Sequence, residues 1–333
     1  MTEGNYDRAR GRALLTMMER IRAFEQQAEL AALRDKLVLG AIHLSIGQEA
    51  VAAGVMVHLT AADYLLSTHR GHGHCLAKGA APDRMMKELL GRHGGNCGGK
   101  GGSMHIADFD VGMLGANGVV GANITIAAGA AHGIKLLGGE QIVVCFFGDG
   151  AANRGPFLEG LNWAGVFDLP ILFVCEDNRY SATTFTQAMT SGRGAAERAR
   201  SLGLATVEVD GNDADAVADS AGDIVARIRT TRAPAFLLAR TYRQRGHTHA
   251  DPAGYRPAGE ADEMAAGNDP IARLRERLVA SGLTEGEVQR VQTAALAEMR
   301  GALDSARTAP WPPDESVFDD VQDIGSPAKG AAY

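Results

Sequence analysis

Apolar positions in the first part of the chain recur mainly at helical spacing. Residues 7–35 carry Leu14, Met17, Met18, Ile21, Phe24 and Ala28 at intervals that predict one long helix. A second helix is predicted within 43–59, where Ser45 and Gln48 have the spacing of a capping box. Residues 63–79 predict a short buried strand that runs into a polar, histidine-rich loop. A helix over 82–90 and a glycine-dense loop over 91–105 follow.

Beyond residue 115 the pattern changes to short continuous apolar runs separated by helical segments. The runs are QIVVCFF, PILFVCE, ATVEVDG and AFLLARTY, and the segments between them include a small-residue helix entered from GANGVVGA. Continuous apolar runs are typical of parallel strands that are buried on both faces. Their alternation with helices predicts an α/β fold, a doubly wound parallel sheet with helices on both sides.

These patterns divide the chain into three parts. Residues 1–40 form an N-terminal helical segment, 41–260 an α/β domain, and 261–333 C-terminal helices followed by an extended acidic tail over 309–333. Asp269 with Pro270 predicts the start of one C-terminal helix, and Thr284 with Glu287 predicts a capping box at the start of the next.

Composition excludes several classes of function. The chain has 333 residues and a formal net charge of −7, which argues against nonspecific binding to nucleic acid. No run of about 18 apolar residues predicts a membrane span, and the first residues do not resemble a signal peptide. The four cysteines form no CxxC pair and no metal-like spacing, which favours a reducing cytoplasm.

One acidic residue, Asp149, lies between two glycines at the end of the run QIVVCFF, and Asn178 follows the next run 29 residues later. Each residue alone is consistent with an ordinary turn. In a doubly wound sheet, however, both would lie at the carboxyl ends of neighbouring strands, where ligands bind. Their oxygens suit Mg²⁺ or Ca²⁺, and Gly150 and Ala151 would present N–H groups to an anion at the start of the next helix. We expect Asp149 at a solvent-accessible rim.

The pair GDG and a downstream asparagine is the thiamine diphosphate-binding motif. The chain resembles the alpha subunits of the 2-oxo acid and acetoin dehydrogenases from about residue 10 to about residue 310. The resemblance is carried by HLSIGQEA, THRGHGH, GGKGGSMHIAD, GANGVVGA, GDGAANRG, NRYS and TYRQRGH. Within that family, these stretches are more similar in sequence to the acetoin dehydrogenases than to the pyruvate dehydrogenases.

The resemblance implies a role for each matching position. Thiamine diphosphate and Mg²⁺ are the implied cofactors. Asp149, Asn178 and the carbonyl of Tyr180 match metal ligands, while Gly148, Gly150 and Ala151 match diphosphate contacts, and Gly118 and Val120 match positions along the middle of the cofactor. Arg70 and His247 match residues that reach the diphosphate or the reacting end, and His247 and His69 are the implied catalytic residues.

Some positions depart from the family pattern or receive no role. His69 stands where pyruvate-type relatives often have Tyr, and Arg245 replaces the first histidine of their HGH loop. Asp177 precedes Asn178 where many relatives have Asn. No role follows for His72, His74 or the glycines of 94–102, and Thr248 is interpreted as a loop residue.

Partners follow from what the chain lacks. Thiamine chemistry needs a glutamate beside the aminopyrimidine, which this family supplies from a separate beta subunit. The resemblance thus implies an α₂β₂ heterotetramer that cleaves acetoin, or decarboxylates pyruvate or a branched 2-oxo acid, and passes the acyl group to the lipoyl arm of a partner acyltransferase. A noncatalytic α/β nucleotide- or diphosphate-binding protein is the alternative class. The absence of GxxxxGK[ST], and of GxGxxG after the first strand, argues against a nucleotide.

Overall fold

A six-stranded parallel sheet organises the chain. The computed structural model describes residues 6–38 and 40–319. The helices are α1 (Arg8–Leu33), α2 (Glu49–Met56), α3 (His72–Lys78), α4 (Pro82–Leu89), α5 (Ala122–Leu136), α6 (Gly155–Val166), α7 (Ala195–Ser201), α8 (Ala214–Thr231), α9 (Glu260–Asn268), α10 (Pro270–Ala280) and α11 (Glu285–Thr308). The strands are β1 (Tyr64–Thr68), β2 (Met113–Asn117), β3 (Val143–Gly148), β4 (Ile171–Asp177), β5 (Tyr180–Ser181), β6 (Thr184–Phe185), β7 (Ala205–Asp210) and β8 (Ala235–Arg240).

Both faces of this sheet are covered by helices. The strand order is β2-β1-β3-β4-β8-β7, and β5 and β6 form a separate small hairpin. Along β3, Val144 and Phe146 face one apolar cluster that includes α1, α2, α8 and α11. The alternate residues Val143, Cys145 and Phe147 face a second cluster with α5, α6 and α7. The predicted doubly wound parallel sheet is confirmed.

The side of the sheet on which the chain adds its next strand changes between β1 and β3. The chain leaves β1 toward β2 on one side of the sheet, and β3 then pairs with the other edge of β1. The connection after β1 packs on one face, whereas α6, which follows β3, packs on the opposite face. The two connections diverge, so a crevice opens beyond the carboxyl ends of β1 and β3, the usual place for a ligand in such sheets.

The helix starts predicted in the C-terminal part are confirmed. The Asp269 carboxylate accepts hydrogen bonds from the N–H groups of Ile271 and Ala272, and Pro270 occupies the first turn of α10. Thr284 and Glu287 form the capping box of α11. The division into three segments at residues 40 and 260 stays a prediction.

Three local predictions are wrong. Ser45 does not cap α2, because its hydroxyl and N–H both donate to the buried carboxylate of Glu25. Residues 72–78 form α3 and not a loop, since their polar side chains find buried partners. β2 was not predicted, because MLGAN carries no continuous apolar run. In the tail, 314–318 form a 3₁₀ turn, and 320–333 lie outside the described residues.

Two further expectations concern membranes and cysteines. No helix among the described residues is long and apolar enough to cross a membrane. All four cysteines are free thiols, and Cys75, Cys145 and Cys175 are buried, where burial raises their pKa values.

Asp269 connects several elements, which makes it a test of the fold. Besides capping α10, it accepts from Arg22 Nη2 at 2.9 Å and from Gln244 Nε2 at 2.9 Å. We expect Asp269→Ala to lower the free energy of unfolding by about 2–4 kcal/mol, because the cap and one partner of the largely buried Arg22 are lost together. Urea unfolding measures this. The control Thr284→Ala removes only a cap and should lower it by about 1 kcal/mol. Equal losses would contradict the assignment.

Candidate functional site

A cavity of about 220 Å³ lies in the crevice between β1 and β3. Its wall includes every residue to which the sequence analysis gave a site role. These are His69, Arg70, Gly118, Val120, Gly148, Asp149, Gly150, Ala151, Asn178, Tyr180 and His247. The fold therefore brings together residues that are as much as 178 positions apart in the chain.

Asp149 is buried, contrary to the expected solvent-accessible rim. It begins a 3₁₀ turn over Asp149–Asn153, and only 7% of the residue is exposed. Its Oδ1 accepts the Gly150 N–H at 3.0 Å, but its Oδ2 makes no hydrogen bond of good geometry within the described part of the chain. Burial raises the pKa of Asp149 to about 6, and the nearby Asp177 adds to this. The Thr186 hydroxyl lies close enough to lower the pKa of the carboxyl in part.

The close approach of β5 explains both this burial and the glycine that follows. A Cβ added to Gly150 would lie 2.1 Å from Ser181 Oγ. Since atoms cannot approach so closely, only glycine fits here without moving β5. The 3₁₀ turn separates Asp149 from α6, so the predicted helix does not start directly at GDG but at Gly155.

Asn178 is held in a fixed orientation at the end of β4. Its Nδ2 donates to Gln48 Oε1 at 3.0 Å, and its Oδ1 accepts the Tyr180 N–H at 3.2 Å. Arg179 between them has a left-handed φ of 72°, which turns the chain back toward the cavity. Gln48 was predicted as part of a helix cap, but its side chain instead orients this amide.

The donor set fits a magnesium ion. The Asp149 carboxylate and the Asn178 amide supply two oxygens, and both residues line the same cavity as Tyr180. A buried carboxylate oxygen without a well-formed hydrogen bond is a destabilising feature unless a cation occupies the position. Mg²⁺ prefers such hard oxygen ligands and keeps other positions for phosphate or water. These residues could therefore hold the metal that the motif implies.

Two buried guanidinium groups face the same cavity. Arg70 donates to the carbonyls of Leu44 and His247, each at 2.8 Å. Arg243 donates to the carbonyl of Ala182 at 3.1 Å and to the Tyr255 hydroxyl at 3.0 Å. Burial lowers the pKa of Arg70 to about 9, and the Arg243 charge adds to this; burial also lowers the pKa of Arg243. Two mutually repelling buried cations favour an anion between them.

Arg243 was not predicted as a site residue, although it lies within the stretch TYRQRGH. A signal was present, since the residue follows β8, the strand that pairs with β4 at the same edge of the sheet as Asn178. Arg245, by contrast, pairs with Glu29 at 3.0 Å and does not line the cavity.

Three histidines meet at the same cavity. The ring centroid of His43 lies 4.7 Å from that of His69 and 4.9 Å from that of His247. Burial and the charge of Arg70 lower their pKa values, to about 3 for His43, 2 for His69 and 4 for His247. All three are therefore neutral at pH 7. Their ring nitrogens approach one another closely enough for a metal, but the Arg70 guanidinium at 3.1 Å from His247 Nδ1 opposes a second cation.

The glycine-rich loop 94–102 has a structural explanation. The buried Glu88 carboxylate accepts four backbone N–H groups, from Cys97, Gly99, Gly101 and Gly102. At Gly95 a Cβ would lie 2.4 Å from Glu88 Oε2, so the loop closes around the carboxylate only without side chains.

Comparison with known proteins gives one consistent family. A sequence profile described as "Dehydrogenase E1 component" matches residues 16–315. The alpha subunit of acetoin:2,6-dichlorophenolindophenol oxidoreductase from Cupriavidus necator is 40% identical over 305 residues, and that from Bacillus subtilis is 41% identical over 309 residues. Each match covers 91% of both chains. The alpha subunit of the pyruvate dehydrogenase E1 component from Rhizobium meliloti is 35% identical over 303 residues, 90% of this chain and 86% of the relative.

Replacing the Asp149 carboxylate should raise the stability of the metal-free protein and, at the same time, abolish metal binding. We expect Asp149→Asn to raise the free energy of unfolding of the metal-free protein at pH 7.5 by about 1–3 kcal/mol, because it removes a buried charge whose pKa is raised by burial. The gain should shrink as the pH falls through about 6, where the wild-type carboxylate takes up a proton. The variant should also lose any stabilisation by Mg²⁺.

Urea unfolding with and without Mg²⁺, at pH 5 and 7.5, measures both effects. Asp110→Asn is the matched control, since it makes the same change at a side chain that is 83% exposed and does not line the cavity. An Asp149→Asn protein that is less stable than wild type, or that Mg²⁺ still stabilises, would contradict this assignment.

Proposed function

Because the chain belongs to the dehydrogenase E1 component family, we propose that it is the alpha subunit of an acetoin-cleaving dehydrogenase that acts together with a beta subunit. Enzymes of this family use thiamine diphosphate with a divalent metal, typically Mg²⁺. The observation that carries the proposal is the buried Asp149 Oδ2, which makes no hydrogen bond of good geometry, beside Asn178 and two buried arginines.

The proposed roles follow from the charges around the cavity. Asp149, Asn178 and the Tyr180 carbonyl would hold the metal. Gly148, Gly150 and Ala151 would lie against the diphosphate, with the Ala151 N–H toward it, since the Gly150 N–H already donates to Asp149 Oδ1. Arg70 and Arg243 would neutralise the remaining negative charge, which a buried cation does well because little water competes.

Bound thiamine diphosphate supplies a carbon nucleophile and an electron sink, and the protein binds and orients it. The three neutral histidines would act at the reacting end. A neutral imidazole donates from one ring nitrogen and accepts at the other, so His43, His69 and His247 suit a substrate that carries both a carbonyl and a hydroxyl. Acetoin is such a substrate, and pyruvate is an anion.

Acetoin is therefore the first choice of substrate and pyruvate the second. Support comes from the two acetoin-type relatives, which are 40% and 41% identical, against 33–37% for the pyruvate-type relatives. His69, which stands where pyruvate-type relatives often have Tyr, supports the same order. Transfer of the acetyl group to a lipoyl arm, an α₂β₂ assembly and a cytoplasmic location complete the proposal.

An exposed apolar surface supports a partner next to the cavity. We call it the α5–α6 face; it consists of Val119, Val120, Ile126, Leu136, Leu158, Trp163 and Val166, all more than 40% exposed. Val119 and Val120 also line the cavity and lead into α5. A surface that continues from the site suits the beta subunit, which must reach the cofactor to contribute its glutamate.

We expect activity only from the two-subunit enzyme. Dye reduction by the reconstituted αβ enzyme with thiamine diphosphate and Mg²⁺ should show a kcat/KM for acetoin at least about tenfold above that for pyruvate or a branched 2-oxo acid. The alpha subunit alone should show none, because it lacks the partner's glutamate. Turnover by the chain alone would contradict the two-subunit proposal, and a preference for a 2-oxo acid would reverse the choice of substrate.

The α5–α6 face makes its own prediction. We expect Val166→Glu to weaken copurification of the beta subunit by about tenfold or more, because a charge would be buried in an apolar interface. The melting temperature of the chain alone should not change, since the side chain is 65% exposed. Val317→Glu, at a position 61% exposed on the C-terminal 3₁₀ turn, is the matched control. Retention of the partner with loss of self-association would instead assign this face to a second copy of the chain.

A further inference from the structure

The side chain of His74 contacts three neighbouring strands near their carboxyl ends. Its Nδ1 lies 2.7 Å from Ser67 Oγ, and its Nε2 lies 3.3 Å from Glu176 Oε1. Ser67 belongs to β1 and Glu176 to β4, while the His74 ring stacks on Phe146 of the intervening β3 with centroids 3.9 Å apart. Since a carboxylate only accepts hydrogen bonds, Nε2 donates to Glu176. The imidazole therefore joins the carboxyl ends of three strands.

His72, two residues earlier in the same short helix, makes a second chain of the same kind. Its Nδ1 lies 2.9 Å from Glu25 Oε2 and its Nε2 lies 2.9 Å from Ser103 Oγ. Both His72 and Glu25 are fully buried. Each histidine of α3 thus bridges one buried carboxylate and one serine hydroxyl, and neither lines the cavity.

The two carboxylates have a common neighbour in Arg70. Glu176 lines the same cavity as Arg70, and the charges of Glu25 and Glu176 partly offset the lowering of the Arg70 pKa by burial and by Arg243. Yet among the described residues no carboxylate pairs with Arg70. Its guanidinium instead donates to two backbone carbonyls and to the ring of His247.

This arrangement is unusual for a buried charge, because a buried arginine normally pairs with an available carboxylate. If Glu176 or Glu25 bound Arg70 directly, the ion pair would have to be broken before the guanidinium could bind an anion. Each imidazole instead bonds one oxygen of its carboxylate, and Ser45 bonds the other oxygen of Glu25. These hydrogen bonds reduce the competition for Arg70.

We propose that His72 and His74 are positioning residues that hold Glu25 and Glu176 away from Arg70 and so keep its guanidinium available for an anion in the cavity. The anion is the diphosphate of the cofactor, so this inference rests on the proposed function. It gives a role to both histidines of the GHGH stretch.

A double-mutant cycle in the αβ complex tests this proposal. His74→Phe keeps the ring that stacks on Phe146 but removes both hydrogen bonds, and Glu176→Gln removes the charge while keeping the shape. Calorimetric titration with thiamine diphosphate in the presence of Mg²⁺ gives the Kd of each variant. The same cycle uses His72→Phe with Glu25→Gln.

We expect His74→Phe to raise the Kd by roughly tenfold to a hundredfold, because the released carboxylate pairs with Arg70. Glu176→Gln alone should lower the Kd, and the double variant should bind at least as tightly as wild type. His58→Phe is the matched control, since His58 follows the C-terminal end of α2 and, among the described residues, bonds only to the Ala218 carbonyl.

Two outcomes would overturn the proposal. A weak Kd that persists in the double variant would show that the imidazole does not act through the charge of Glu176. An unchanged Kd in His74→Phe would show that the imidazole does not position the carboxylate. If wild type itself does not bind thiamine diphosphate, the proposed function fails, and the cycle repeated with inorganic pyrophosphate tests whether the histidines keep Arg70 available for an anion.

Discussion

The structure depends on charges that are buried at the carboxyl end of the sheet and form no direct ion pair with each other. A buried carboxylate oxygen of Asp149 makes no hydrogen bond of good geometry, and the Arg70 guanidinium has no carboxylate partner in the described residues. Such an arrangement destabilises the isolated chain, because an ion loses its hydration on burial. It persists because each charged residue lies at the end of a buried strand and is held by hydrogen bonds to the backbone. These bonds leave the side that faces the cavity without a charged partner in the part of the chain that the structure describes.

The sheet makes this arrangement rigid. β3 lies inside the sheet and is buried on both faces. Its register with β4, in which Gly148 pairs with Glu176, therefore fixes the position of Asp149. Ser181 closes one side of the turn, and Gln48 fixes the amide of Asn178 from another segment of the chain. Functional groups held by several independent elements lose little entropy when a ligand binds, which is the basis of preorganisation.

A site residue could be predicted where a nearby sequence pattern marks it, and not where only tertiary packing brings it to the cavity. Asp149 and Asn178 were predicted together because the ends of neighbouring parallel strands must meet, whatever the rest of the fold. The burial of Asp149 was not predictable, because it results from the packing of β5.

Ser45 has the spacing of a helix cap, but its hydroxyl donates to Glu25, a residue of α1. His43 and Arg243 reach the cavity from segments that have no periodic pattern, so only the tertiary fold reveals them. Most of the strands and the long helices were predictable, because their apolar runs must be buried on one or both faces, whereas the short edge strand β2 was not.

The same electrostatics connects cofactor binding with assembly. A cavity of about 220 Å³ is smaller than the roughly 300–1,000 Å³ typical of ligand pockets, so a cofactor held by Asp149, Arg70 and Arg243 would extend past Val119 and Val120 to the α5–α6 face. A ligand bound across a boundary between two subunits stabilises their association, and by thermodynamic reciprocity the association stabilises ligand binding equally. These buried charges without direct ion pairs therefore have a second consequence in the proposed enzyme. They keep the isolated alpha subunit less stable than its loaded and assembled form, so that metal, diphosphate and partner each favour the binding of the others.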